Sequence, residues 1–460
     1  MLKDRHSVKY IMLLAWPAIL EQLLLTMATY IDTAMIGALG YQATAAVAVN
    51  ASTTWLIMGP LGALGVGYSV QVAYSLGAQD TARARSISCQ AMTGALCFGC
   101  TLMLLFMPLS AHIPVWLGAD EEILADAKRY LFFFSAGIPF QALLNVFSAI
   151  LRCAGDTRTP MYVNVGANLS NILLNFILIF SPRSLTIAGV SFFVWGAGWG
   201  VTGAAVATSC SYVLAAVVLT VILFTRPSSV QLRWGAACLP QRDVTRKALQ
   251  LGLPVAFERV ATSSGQLVMT GLVTSLGSVA LSANHVAVTA EAISYLPANG
   301  IAFAGTTVIG QAVGAKKAAE ARRDAKTLGL LGLLAGVIGG MLLYFLAAPL
   351  AGIFSPDAQV ISLAASMLRI VAVAEPMFSL AIVLTGVLRG AGKTAVSFWS
   401  VAIGMWCVRV TAALLFLHTL QLGLHGVWFA MVADLVARGM MNTLFVKRLD
   451  WEKVCEINGG

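Results

Sequence analysis

Charge is what this 460-residue chain has least of: Asp, Glu, Lys and Arg together make up 11% of it, where a soluble domain carries roughly 25%. So little charge, beside 58% hydrophobic residues, excludes a soluble globular enzyme and a disordered segment alike, since both need polar surface to stay in water. Long polar connections are also scarce. One stands out, from about 226 to 250, with Pro227, Ser228, Ser229, Pro240 and Asp243. The eight cysteines and five histidines are scattered. Cys97 and Cys100 have the spacing of a redox or zinc pair, but no second pair or histidine cluster completes a site, so they read as packing residues in an apolar stretch. Clustered acids for magnesium, and a nucleophile paired with a base, are missing from the apolar segments. That argues against an intramembrane enzyme, and neither a catalytic residue nor a cofactor is expected.

What the chain does have is apolar runs. Stretches of about 20 residues or more, enough to cross a hydrocarbon core roughly 30 Å thick, recur near 10–36, 44–76, 87–112, 127–151, 160–181, 198–225, 247–275, 283–313, 326–348, 360–388, 396–418 and 424–446. They predict an all-α polytopic membrane protein with twelve transmembrane helices. The first run is too long for a signal-peptide core and ends in no small-residue cleavage site, so it is expected to remain as the first span. Basic residues fall in alternate loops: Lys3, Arg5 and Lys9, then Arg83 and Arg85, Arg152 and Arg158, and on through the linker to Lys447, Arg448 and Lys453. In all, 22 of the 29 basic residues share one side, against Lys128, Arg129 and Arg183 on the other. The expected location is the cell (inner) membrane, and the positive-inside rule then predicts cytoplasmic N- and C-termini. It also accounts for the net charge of +9 with no nucleic acid as partner.

Shifted by 237 residues, the chain lies over itself. Pro17 falls on Pro254, Glu21 on Glu258, Leu39-Gly40 on Leu276-Gly277, Pro60 on Pro297, Gly77-Ala78 on Gly314-Ala315, Pro139 on Pro376, and Leu151-Arg152 on Leu388-Arg389. Each repeat holds six spans, an even number, so the second copy enters the membrane in the orientation of the first. This predicts two six-helix bundles related by a pseudo-two-fold axis along the membrane normal, with a central cleft between lobes that can rock. The expected division is an N-terminal lobe at 1–225, a cytoplasmic linker at 226–246 and a C-terminal lobe with a short tail at 247–460.

Acids within the spans are functional candidates because a charge at the bilayer centre costs roughly 2.5 to 3.5 kcal/mol. Six qualify: Glu21, Asp32, Glu258, Glu291, Glu375 and Asp434. Asp434 lies four residues before Arg438, a spacing that lets them pair on one helix face. Glu375 precedes Pro376, which suits a membrane boundary, a hinge or a cavity wall. Glu291 lies among Thr289, Ser294 and Tyr295 and is expected to line a cavity of the second lobe. Glu21 and Glu258 occupy the same place in both copies, as scaffold residues would. Asp32 has no counterpart, since the repeat places Met269 there. A desolvated carboxylate of this kind is suited to exchanging a proton or holding a cation.

Gln22, Thr26 and Thr29 form a polar stripe beside it at helical spacing. Asn164, Asn168, Asn171 and Asn175 recur at steps of four, three and four, which places four amides on one face of the fifth span. Thr208 adds a hydroxyl in the sixth. A carboxylate, amide carbonyls and a hydroxyl are hard oxygen ligands that suit a small alkali cation or a proton relay. Substrate-cavity candidates are Gln22, Thr29, Asn168, Glu291 and Glu375.

At these residues the chain resembles the MATE (multidrug and toxic compound extrusion) transporters of the DinF-like prokaryotic branch. The resemblance rests on Pro17, Asp32-Thr33-Ala34-Met35 and Gly40, on the run Leu-Arg-Cys-Ala-Gly-Asp-Thr-Arg-Thr-Pro at 151–160 with its echo at 388–394, and on the repeated Gly-Ala pairs. It spans essentially the whole chain. It implies a twelve-helix, two-lobe fold and efflux of amphipathic, often cationic compounds driven by inward H⁺ or Na⁺. It also implies a cation site in the first lobe at Asp32, with Asn171 and Thr208 matching the family pattern. Asn175 departs from it, because many members carry a second aspartate there followed by proline, and here Phe176 follows. One carboxylate in place of two weakens the field for Na⁺ and favours H⁺, though Na⁺ at Asp32, Asn171, Asn175 and Thr208 stays open. The expectation is a monomeric antiporter in the lipid bilayer exporting a small-molecule substrate. The alternative is a lipid-linked oligosaccharide flippase of the same wider superfamily, which calls for a basic cavity to hold diphosphate.

Overall fold

The structure, a computed structural model, describes residues 8–187, 190–233 and 238–458; Lys3 and Arg5 of the expected basic N-terminus lie outside them. The first lobe comprises α1 (Val8–Gly37), α2 (Tyr41–Gly77), α3 (Thr81–Leu109), the short α4 (Ile113–Trp116), α5 (Glu121–Ala136), α6 (Ile138–Cys153), α7 (Arg158–Leu178), strands β1 (Arg183–Ile187) and β2 (Val190–Val194), and α8 (Gly200–Thr225). The second comprises α9 (Arg242–Thr274), α10 (Ser278–Gly314), α11 (Ala318–Phe345), α12 (Ala347–Phe354), α13 (Ala358–Ala372), α14 (Glu375–Gly390) and α15 (Thr394–Ala402). A π-helical stretch (Ile403–Val410) joins α15 to α16 (Thr411–His418), and α17 (Gly423–Arg448) and α18 (Trp451–Asn458) complete the chain.

The twelve expected spans are all present as helical segments. Among the described residues nine spans are long and apolar enough to cross a membrane, and two bent pairs make eleven. The twelfth is α9, more polar because Glu258 and Arg259 lie midway along it. It begins at Arg242, so residues 242–246, expected in the linker, are helical. The bends fall where α5 meets α6, at 48°, and where α13 meets α14, at 60°. Pro139 and Pro376 sit just inside the second helix of each pair, where the missing N–H costs no hydrogen bond but the ring cannot continue the preceding helix.

The repeat holds in backbone detail. Helices α2 and α10 are both 37 residues long, and each follows a glycine in a left-handed conformation, Gly40 at φ 112° and Gly277 at φ 97°. Only glycine adopts such a turn without strain. The register changes once. Gly200 and Thr225 of α8 correspond to Gly423 and Arg448 of α17, an offset of 223, because the connection after α7 carries an antiparallel hairpin, β1 with β2, that the other lobe lacks. This hairpin was not foreseen from the apolar runs.

The lobes meet reciprocally. Helix α1 packs on α10, α9 on α2, and α2 on α10. At the last crossing a Cβ on Gly77 would fall on the backbone of Gln311, and one on Gly314 on the backbone of Tyr74. These positions exchange under the 237-residue shift, so the pseudo-two-fold axis passes between them. This is the end where the basic loops gather, and it is sealed. Thr307 Oγ1 donates to Arg152 O (3.1 Å) and Gln311 Nε2 to Cys153 O (2.9 Å), while Gly67 and Gly252 let α2 and α9 touch. Toward the opposite end Thr29, Thr33, Gln266 and Thr270 are exposed, which marks a cleft between the lobes. Cys97 is exposed and Cys100 half-buried, both on the apolar α3.

Candidate functional site

Helices α1, α7 and α8 bring the expected coupling residues together inside the first lobe. Asn175 Nδ2 donates to Asp32 Oδ1 and also to Asn171 Oδ1 (3.3 Å). Asn171 Nδ2 donates to Thr208 Oγ1 (3.3 Å), whose hydroxyl donates to Ala204 O (2.9 Å). Asn175 is fully buried, and its Oδ1 has no hydrogen-bond partner. An unsatisfied buried carbonyl is costly, and here it faces the neighbourhood of a carboxylate, where a proton donor or a cation would satisfy it. Tyr130 and Tyr212 lie within electrostatic reach of Asp32. Neither tyrosine was singled out from the sequence, because only packing brings α5 and α8 beside Asp32.

The asparagine stripe does not act as one unit. Asn164 Nδ2 donates to Glu21 Oε1 (2.7 Å), two turns away from Asn171, and Asn168 Nδ2 is buried without a partner between them. Glu21 is ion-paired with Arg152 at 2.5 Å and Glu258 with Arg389 at 2.8 Å; Ser397 Oγ also donates to Glu258 Oε2 (2.7 Å). Both pairs span 131 residues. That equality was readable in the repeat, where a shared acid and a shared arginine recur together.

Glu291 and Glu375, expected to line a cavity of the second lobe, are closed off from the outside in this conformation. They are 2% and 0% exposed, enclosed within the second lobe where α13 bends into α14. Glu291 Oε1 and both Glu375 carboxylate oxygens have no partner at normal hydrogen-bond geometry, with the Ser294 hydroxyl near Glu375, and Glu291 lies within electrostatic reach of Glu375. Glu375 lies in the first turn of α14, at the bend. Nearby, Asp434 pairs with Arg438 on its own helix and with Arg409 at 2.9 Å, so the expected i,i+4 pair is part of a buried triad.

Gln22 is half-buried, and Thr29 is exposed on the cleft side of α1. Thr26 and Thr33 continue that stripe. The matching stripe on α9 was not foreseen: Arg259, Ser263, Gln266 and Thr270 fall on Gln22, Thr26, Thr29 and Thr33 under the same shift.

Two helical lobes on one scaffold, a cleft sealed at one end, and an ionisable site buried in each lobe are the parts of an alternating-access transporter. A family model, MatE, matches residues 17–177 and 254–415, one stretch per lobe, and the chain belongs to this family of MATE transporters; it is a transporter and not an enzyme. It is 30% identical over 445 residues to the probable multidrug resistance protein NorM of Thermotoga maritima, covering 97% of this chain and 93% of that one. It is 24% identical to the human multidrug and toxin extrusion protein 1, covering 98% of this chain and 76% of that protein. A solved outward-facing conformation of a multidrug resistance MATE family transporter of the MOP superfamily superposes with a TM-score of 0.87 at 23% identity, over 95% of this chain and 94% of that one. The DinF-like assignment within the family remains an expectation from the motifs.

Proposed function

We propose that the protein is a secondary antiporter that exports amphipathic drugs or toxic metabolites in exchange for a cation, with Asp32, Asn171, Asn175 and Thr208 as the coupling site. The observation that carries this is the hydrogen-bonded chain from Thr208 to Asp32, ending beside the unsatisfied Asn175 Oδ1. Charged Asp32 accepts from the Asn175 amide. Protonated Asp32 can donate to Oδ1 instead once the amide turns, so one proton exchanges two arrangements of α1 against α7. Na⁺ would draw on Asp32, Asn171, Asn175 and Thr208, all hard oxygen donors, but with one carboxylate its binding is weak and H⁺ is favoured.

Cation and substrate then compete through the lobe, each favouring the arrangement it binds better. In this reading the basic, sealed end faces the cytoplasm together with both termini, the membrane is the inner membrane of the cell, and the protein works as a monomer. The names of the relatives support multidrug substrates. A flippase for lipid-linked oligosaccharides fits less well, because a diphosphate calls for several basic groups, and with Arg409 and Arg438 tied to Asp434 Arg259 is the single charge on the cleft stripes. The test is dye efflux from proteoliposomes with H⁺ and Na⁺ gradients imposed separately. Wild-type efflux should follow one gradient and vanish in Asp32→Asn; intact gradient-driven efflux in that variant would sink the proposal.

A further inference from the structure

The cleft has a charge of its own. Its two walls carry matching polar stripes, Gln22, Thr26 and Thr29 on α1 against Arg259, Ser263 and Gln266 on α9, and Arg259 is the one formal charge among them. It lies midway along α9, where its Cβ would stand 3.1 Å from a Cβ on Gly59 of α2. Immediately toward the basic end, Gly252 and Ala63 close the seam between the same two helices. Arg259 therefore stands at the floor of the cleft, and its side chain is exposed there.

No carboxylate among the described residues forms an ion pair with it. The adjacent Glu258 lies within electrostatic reach of it, but that carboxylate is held by Arg389 and Ser397. Asp32 is held by Asn175 inside the first lobe. Arginines at membrane depth are costly, pair with something, and mark substrate pathways. Three less exposed arginines of this lobe follow that rule, Arg409 and Arg438 through Asp434 and Arg389 through Glu258. A guanidinium presents a planar fork of donors that matches a carboxylate, sulfonate or phosphate.

We propose that Arg259 is a specificity-determining residue that receives an anionic group of the substrate, so that the exported compounds are amphipathic acids or zwitterions with the acidic group seated at the cleft floor. This rests on the antiporter reading above and departs from the cationic substrates that the family resemblance implies. The neutral stripes, rich in threonine, serine and glutamine, then hold the rest of the molecule with few fixed demands on its shape.

The experiment uses one matched pair of dyes, rhodamine B, which bears a carboxylate, and its ethyl ester, which does not. Binding to the purified full-length protein is followed by fluorescence anisotropy with no gradient. The wild type should bind the acid about tenfold or more tighter than the ester, the loss expected when a charge-assisted hydrogen bond goes. Arg259→Gln should bind the two alike, and Arg259→Lys, which keeps the charge, should retain part of the preference. Arg246→Gln, an exposed basic residue at the sealed end, should change nothing. Absence of acid binding, equal binding of acid and ester by the wild type, or an undiminished preference in Arg259→Gln overturns the inference. Failure of the antiporter reading is separable: it would show as efflux indifferent to Asp32→Asn while the Arg259-dependent preference persists.

Discussion

In the first lobe, α1, α7 and α8 carry Asp32, Asn171, Asn175 and Thr208; at the same places in the second lobe stand Met269, Val408, Ala412 and Met431. The exchange runs the other way as well. Glu291, Glu375, Arg409 and Asp434 of the second lobe replace Thr54, Ile138, Ile172 and Ser211 of the first. What stays equal is the frame: prolines at the bends, glycines at the crossing, and the Glu21–Arg152 and Glu258–Arg389 pairs. A doubled scaffold thus holds two different ionisable interiors, and the backbone does not require them to match. On the proposed coupling at Asp32, ion binding is open to one lobe, and the lobes should respond unequally to a gradient.

That inequality can be broken deliberately. The largest effect is expected for Asp32→Asn, which should reduce gradient-driven efflux to the leak of empty liposomes while leaving thermal unfolding nearly unchanged. Next comes Asp434→Asn. It strands Arg409 and Arg438 inside the second lobe and should cost about 3 to 5 kcal/mol, the usual penalty for removing one partner of a buried pair, seen as a lower unfolding temperature in detergent. Met269→Asp copies the first lobe's acid into the second. With Val408, Ala412 and Met431 around it no oxygen ligand is available, so it should lose roughly 2.5 to 3.5 kcal/mol without creating a new ion dependence. Transport that gains a second coupled ion in this variant would show that the frame alone makes the site. The smallest effect sharpens the equal part of the comparison. Glu21→Gln and Glu258→Gln should each cost about 1 to 3 kcal/mol, and similar unfolding shifts are expected because both arginines are left in the same setting.

Much of this was legible before the structure. Apolar runs and the 237-residue shift predicted twelve helices in two lobes because membrane spans must satisfy their backbone internally, which leaves few alternatives to the helix. The absence of an acid at Met269 isolated Asp32, and the spacing of Asn171 and Asn175 placed them on one face. Other features were not legible. The hairpin at 183–194 leaves no mark in span counting, since it lies between helices. Asn164 and Asn171 look equivalent in a periodic stripe, yet one serves Glu21 and the other links Thr208 to Asn175, because the partner helices cross α7 at different heights. Glu375 had three readings until the bend at Pro376 enclosed it.

The sequence by itself determined the number of helices, their doubling, the face of each that is polar, and which acids lack a counterpart, because helical periodicity and hydrophobic length are local properties of the chain. Which polar faces meet was decided only in the tertiary structure. Packing brought Asn175 to Asp32, Arg152 to Glu21 and Arg409 to Asp434 across separations of 143, 131 and 25 residues. It left Arg259 facing the cleft, since contact between helices depends on their crossings and no local pattern encodes those.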